Sequence, residues 1–320
     1  MILVIGSGRS GTTWLAKLLD SHPATLYRHE PDSIHMEDRL PFLPAADEVD
    51  DHVPLARDYL ERLTEVRAAK TAGSLPLFSK SYRCRTRQSL HRLWVYGVKA
   101  AQRVAGPVPV IAGATVPDLI READREQIVP VVKSVNSLGR TTLFARARPS
   151  ARVLHIVRHP CGHVASRLRG LKAQLLQKNL FMDDIAALDE ARERGFTAET
   201  LNALSIEEQI ACQWMIMNEK VMNEMDGREN YHVVSHDELC ADTETRTREI
   251  FDFCDLSWNE QTAEFIQSLD ATGENNPGYF QISRSPAAEV GKWRNELEPE
   301  TVARIEAIVR GSKPGSLFNI

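Results

Sequence analysis

The chain opens with MILVIGSGRSGTTWL, residues 1–15, and this stretch decides the fold class. Met1 to Ile5 are apolar without a break, the composition of a strand buried on both faces. From Gly6 the chain turns through GSGRSGTT, and Thr13 to Leu19 carry a helical pattern. A strand, a glycine-rich turn and a helix in that order aim backbone N–H groups at a helix N-terminus, where the peptide dipoles favour an anion. Gly6 and Gly11 have the spacing of an ATP-binding loop, but Thr12 stands where that loop keeps the lysine that reaches the β and γ phosphates. Arg9 supplies a cation from inside the loop instead. The expectation is an anion site made by Gly8, Arg9, Ser10, Gly11, Thr12 and Thr13.

Further apolar runs extend the pattern: ATLY (24–27), VPVVKS (129–134), RVLHIV (152–157) and YHVVS (231–235). Alternation of such runs with helical patterns predicts parallel strands joined by crossover helices, an α/β sandwich. About a hundred residues without a clear strand separate the second run from the third. Pro54 to Lys70 and Thr86 to Val104 within them read as helices. A second, charge-rich helical insertion covers roughly 183–208, and insertions of this kind build substrate walls or lids.

Composition narrows the function. The 320 residues are 42% hydrophobic and 26% charged, ample for a full core as one large domain or two smaller ones. A net charge of −5 gives no global reason to bind nucleic acid or an anionic membrane surface. No apolar run approaches a transmembrane length, and a strand beginning at Met1 leaves no room for a signal peptide, so the cytoplasm is expected. Five scattered cysteines lack metal or disulfide spacing. The stripe of Ile206, Ile210, Trp214, Met217, Val221 and Met225 has the spacing of a buried helix face.

Charge is uneven along the chain. From Gln127 to Met182 there is no Asp or Glu, while ten Lys and Arg fall inside the run, among them Lys133, Arg140, Arg158 and Lys178. Within it, RVLHIVRHPCGHVASRL (152–168) places Arg158 just beyond the carboxyl end of a strand, the edge at which open parallel sheets bind ligands. Pro160 suits the first turn of the next helix. With Val164, Leu168, Leu171 and Leu175 as that helix's core stripe, Ser166 points away from the core toward Arg158. A guanidinium and a hydroxyl converging there predict a second phosphate clamp.

GSGRSGTTWLAKLL and IVRHPCGHVASRL together resemble the 5′-phosphosulfate loop and the 3′-phosphate motif of sulfotransferases that use 3′-phosphoadenosine-5′-phosphosulfate (PAPS). VVKS, HDELCADTETRTREIFDFCDLSW and SRSPAAEVGKWRNEL are similar, in order, to later segments of that family. The resemblance implies an α/β, P-loop-like three-layer fold with a central parallel sheet. It implies one sulfotransferase domain over residues 1–320, with helical insertions at about 33–130 and 180–208 over the substrate site. It also implies PAPS as donor, with no metal, and accounts for the absent lysine, since no γ phosphate is to be cleaved.

Sulfuryl transfer needs a base for the acceptor and cations for the leaving phosphate. Sulfotransferases acting on phenols and steroids carry Lys-Thr-His after this third strand, with the His as base. Here the chain reads Lys133-Ser134-Val135, and valine accepts no proton. In the carbohydrate and tyrosylprotein branch the loop cation is Arg and the base a Glu after the second strand. Arg9 and Glu30 match that branch, with His29 and His35 as alternatives for the base. The resemblance further places Lys133 near the transferring group. It places Arg284, Lys292, Trp293 and Arg294 in a C-terminal segment over the nucleotide, with Arg284 and Lys292 toward its 3′-phosphate. The acceptor would offer a hydroxyl, in second place an amine, on a carbohydrate, glycolipid, peptide or small metabolite. The competing readings are a nucleotide or small-molecule kinase with an altered loop, and a catalytically silent PAPS-binding module.

Overall fold

A computed structural model of the chain describes residues 1–105, 113–176, 180–271 and 290–320. Five strands form one sheet: β1 (Ile2–Ile5), β2 (Thr25–His29), β3 (Val129–Ser134), β4 (Arg152–Val157) and β5 (Tyr231–Ser235). Their order is β2-β3-β1-β4-β5, and every neighbouring pair is parallel. The α/β class with a central parallel sheet therefore holds, and each of the five apolar runs supplies one strand.

Successive side chains of a strand face opposite ways, and the two faces are separately covered. Leu3, Ile5, Val132, Val153 and Val157 pack on one side with α2 (Val49–Glu65), α5 (Thr141–Ala147), α6 (Pro160–Lys172), α10 (Ile206–Glu224) and α14 (Pro299–Val309). Ile2, Val4, Val131, Leu154 and Ile156 face α1 (Thr12–Asp20), α12 (Thr243–Phe253) and α13 (Glu260–Ala271). Three layers result. Of the stripe read along α10, Ile210, Trp214, Met217, Val221 and, just past the helix, Met225 are buried as its spacing predicts, while Ile206 in the first turn is half-buried.

Several boundaries differ from the sequence reading. The helix expected from Pro54 is α2, which starts at Val49 and contains Pro54. Pro54 forfeits one i→i−4 bond, but Asp50 and Asp51 in the first turn favour the N-terminal dipole and Ala56, Tyr59, Leu60 and Leu63 bury the following face. The second insertion is broken into α7 (Met182–Ala186), α8 (Asp189–Glu193) and α9 (Ala198–Ala203). Helix α6 ends at Lys172, so Leu175 lies beyond it and is exposed.

The first insertion contains α3 (Ala69–Ala72) and α4 (Arg85–Ala105) and is fastened to the sheet by buried charge. Lys17 Nζ donates to Asp20 Oδ2 at 2.7 Å and to the Ser74 and Pro76 carbonyls at 2.8 and 3.1 Å. Lys80 reaches the other Asp20 oxygen at 2.9 Å. Arg28 of β2 donates to Asp118 at 2.7 Å, and Arg83 to the Asp118 carbonyl at 2.7 Å.

Candidate active site

All strands run the same way, so their carboxyl ends share one edge, and the chain delivers chemistry there four times. The turn after β1 is tight. An added Cβ at Gly11 would lie 2.4 Å from the His236 ring at φ +95°, and one at Gly6 would meet the Ile156 carbonyl at 2.7 Å. Only glycine fits Gly11 without strain. At Gly8 a Cβ would meet nothing, which leaves the outer side of the loop open. Ser10 turns inward instead, its hydroxyl donating to the Ser7 carbonyl at 2.7 Å and its N–H to the same oxygen at 3.0 Å. Thr12 is buried at the start of α1 and Thr13 half-buried beside it.

Arg9 adopts φ +80°, a left-handed conformation costly for a residue with a Cβ. Its Nε donates to Ser166 Oγ at 3.1 Å, and its carbonyl accepts from Arg158 Nη1 at 3.4 Å. The loop and the Arg158–Ser166 segment thus meet. Ser166 does point away from Val164, but it is buried, because α6 packs against the loop as well as against the core. Gly162 makes room for the arginine: a Cβ there would stand 3.1 Å from Arg158 Nε and 3.4 Å from the Trp293 ring. Glycine at this position carried no signal in the sequence.

At the other end of the edge, β2 stops at His29 and Glu30 takes φ +44° before Pro31. Glu30 N–H donates to the Lys133 carbonyl at 2.9 Å, and Lys133 Nζ donates to Glu30 Oε1 at 2.5 Å. Lys70 of α3 approaches Glu30 Oε2 at 3.5 Å; its place in the insertion hid it from sequence reasoning. Burial works to raise the Glu30 pKa, but the charge and hydrogen bond of Lys133, with His29 and Lys70, overcome it and hold the carboxyl at about 2. Burial lowers the Lys133 ammonium, with Glu30 opposing. His29 is pushed to about 3 by burial and by Lys133, and its Nδ1 pairs with the Tyr27 hydroxyl at 2.8 Å. His35 is exposed, and its carbonyl accepts from Tyr59. Asp32 accepts from Ser134 Oγ and, at 2.8 Å, from Ser137 Oγ, which ties the Glu30 turn to the end of β3.

The C-terminal residues stand differently. Trp293 is buried and stacks on His159, ring centroids 4.6 Å apart, while the Arg294 guanidinium lies 4.4 Å from the same indole. The indole therefore braces the N-terminus of α6 behind Arg158. Lys292 and Arg294 are exposed. Arg284 and Lys178 lie outside the described residues. A cavity of about 460 Å³ borders His159, Trp293, Arg294 and Arg310, and none of Arg9, Glu30, Lys133, Arg158 or Ser166 lines it.

The basic run does not form one field. Arg146 pairs with Asp50, Arg148 with Glu61, Arg152 with Asp255 and Arg169 with Glu296, while Arg140 donates to the Leu40 and Pro41 carbonyls. Lys133, near the end of β3, and Arg158, just past β4, stand at the sheet edge. Among the described residues no group of three His, Cys, Asp or Glu could hold a metal, and no helix is long and apolar enough to cross a membrane.

The sequence profile of the Sulfotransferase family matches residues 2–260. The chain belongs to this family. No curated protein matches it. Among solved structures it is similar to the sulfotransferase domain from the Synechococcus PCC 7002 olefin synthase, at 16% identity and a TM-score of 0.47 over 96% of this chain and 93% of that one. The sulfotransferase domain from the curacin biosynthetic pathway gives 15% identity and a TM-score of 0.44, covering 96% of each chain. A sulfotransferase from Alicyclobacillus acidocaldarius gives 15% and 0.39, covering 96% of this chain and 94% of that one. Likenesses this distant carry no residue assignment. Those of this sulfotransferase rest on its own geometry.

Proposed function

We propose that this sulfotransferase moves the sulfuryl group of PAPS to an acceptor hydroxyl, with Glu30 as base and Lys133 and Arg9 stabilising the leaving phosphate. The observation that carries the reading is the order of groups along the sheet edge. Glu30 follows β2, Lys133 ends β3, the anion loop follows β1 and Arg158 follows β4, and these strands are consecutive neighbours. A donor with its 3′-phosphate at Arg158 and Ser166 and its 5′ end in the loop would point the reacting group at Lys133 and Glu30. The acceptor would enter beside Lys70. Arg9 as loop cation and Glu30 as base favour the carbohydrate and tyrosylprotein branch.

In this scheme Lys133 has two possible partners. While paired with it, Glu30 is a weak base, its carboxyl held at about 2. When Lys133 turns to the anionic donor, Glu30 loses its nearest cation and burial raises its basicity. The base would gain strength only when there is something to transfer. Proton transfer to Glu30 then accompanies formation of the acceptor O–S bond and cleavage of the bond to the phosphate oxygen, whose negative charge Lys133, Arg9 and the loop N–H groups take up.

Metal-free calorimetry with adenosine 3′,5′-bisphosphate and with ATP tests the donor. The bisphosphate should bind far more tightly, and Arg158→Ala should cost about 2 to 4 kcal/mol, tens to several hundred-fold in affinity. Preference for magnesium-ATP would support a kinase instead. Binding of the bisphosphate without turnover of labelled PAPS on any of a broad acceptor panel would support a silent module.

A further inference from the structure

Helix α4, the longest of the first insertion, keeps a largely exposed apolar face. One side is committed: Gln88, His91 and Val95 are buried, with Val95 against Ala69 and Val116. The opposite side carries Leu90, Leu93, Trp94, Tyr96 and Val104, all exposed, with Leu93 at 71% and Val104 at 89%. At 3.6 residues per turn these five fall within about 160° of arc. Trp94 is held in place, its Nε1 donating to the Thr115 carbonyl at 2.9 Å.

The charge on the same helix is one-sided. It bears Arg85, Arg87, Arg92, Lys99 and Arg103 and no acidic residue, in a chain whose net charge is −5. Arg85, Arg92, Lys99 and Arg103 lie within about 40° of one another and border the apolar arc next to Tyr96. The negative total had given no global reason to expect an anionic surface as partner, and it conceals this local reversal.

We infer that α4 is a docking surface for an anionic lipid bilayer, lying in the headgroup plane with Leu93, Trp94 and Val104 buried among acyl chains and the basic edge on the phosphates. A strongly amphipathic helix with aromatic and aliphatic residues on one side and Lys/Arg beside them has this partner chemistry. A second copy packed through the same helix would set its cations against an identical set. A nucleic acid would use the cations but leave Leu93 and Val104 in water. Helix α3, with Lys70 near Glu30, packs beneath α4 through Ala69 and Ala72, on the side of α4 away from the exposed arc.

The test is co-sedimentation of the full chain with vesicles of phosphatidylcholine alone and of phosphatidylcholine mixed with phosphatidylserine. Binding at least about tenfold tighter to the mixed vesicles, and weakened by salt, is expected. Leu93→Asp with Val104→Asp, both at exposed sites, and separately Arg85→Glu with Arg103→Glu, should each reduce it about tenfold or more while the melting temperature stays put. Equal or absent binding to the two vesicle types overturns the inference. So does a dimer that Leu93→Asp splits, or capture of a single-stranded oligonucleotide by a protein that ignores vesicles.

Discussion

Two of the buried charge clusters among the described residues are used differently. Around Asp20, Lys17 and Lys80 satisfy both carboxylate oxygens, and they donate further to the Ser74, Pro76, Asp20 and His22 carbonyls and to the Thr25 hydroxyl. At the sheet edge, Lys133 is as deeply buried as Lys17, but its partner Glu30 sits in a left-handed turn with its side chain 19% exposed. A saturated cluster fixes architecture. A pair with one accessible, conformationally strained member can change partners, which proton and group transfer require.

The largest expected effect breaks the accessible pair. Glu30→Gln keeps shape and polarity but accepts no proton, so turnover should fall by about 10² to 10⁴ while donor affinity and melting temperature stay near wild type. Turnover within a few-fold of wild type would refute the assignment and shift the role to His29. The pH profile sharpens the test. With its carboxyl at about 2, Glu30 is ionised throughout the folded range, so kcat/KM should show no acid limb from this group. In Lys133→Met, burial is opposed only by His29 and Lys70, and a limb rising with pH should emerge at a higher value.

Breaking the saturated cluster should do the opposite. Asp20→Asn leaves Lys17 and Lys80 buried without their counter-ion, an expected loss of about 3 to 5 kcal/mol in denaturant unfolding. Turnover per folded molecule should be preserved. A mutant as stable as wild type would show that the cluster is not a fastening.

A third case is buried and neutral. His155 Nε2 donates to Asn218 Oδ1 at 2.9 Å, so its Nδ1 accepts from the Tyr231 hydroxyl at 2.8 Å, and burial lowers its pKa from 6.5 to about 4. The unfolded chain takes up a proton at this site between those values and the folded chain does not. Stability contributed by neutral His155 is therefore complete above pH 6.5 and falls as pH drops toward 4, by about 3 kcal/mol. His155→Gln should flatten that part of the stability curve.

The sheet was legible because its strands are apolar runs that end in polar, glycine or arginine residues, and the phosphate loop because glycine spacing is a local property. Glu30 and Lys133 could be named, but not their contact, since they are neighbours only through the β2–β3 register. Lys70, Asp32 and Gly162 were silent for the same reason: each acts on a residue brought close by the fold. The second insertion looked like one helical segment because its charged residues suit helices anywhere, while its breaks are set by how Met182, Ile185, Ala191 and Leu201 reach the core. Trp293 could be named from its segment, but not its stack on His159, a partner more than a hundred residues away.

The smallest effect tests where the two anion motifs join. Ser166 is buried and neutral, and its hydroxyl accepts from Arg9. Ser166→Ala removes one neutral hydrogen-bonding group, and about 1 kcal/mol of donor affinity should go with it, several-fold in Kd. If the hydroxyl only contacts the ligand, KM for the donor rises and kcat is unchanged. If it also holds Arg9 in its left-handed turn, kcat falls as well, because Arg9 then samples conformations that take its charge off the leaving phosphate. Ser166→Thr separates these outcomes, since it restores the hydroxyl in a packed site with an extra methyl. Recovery of kcat without recovery of KM would assign Ser166 to positioning Arg9. A kcat identical in all three proteins would confine it to binding.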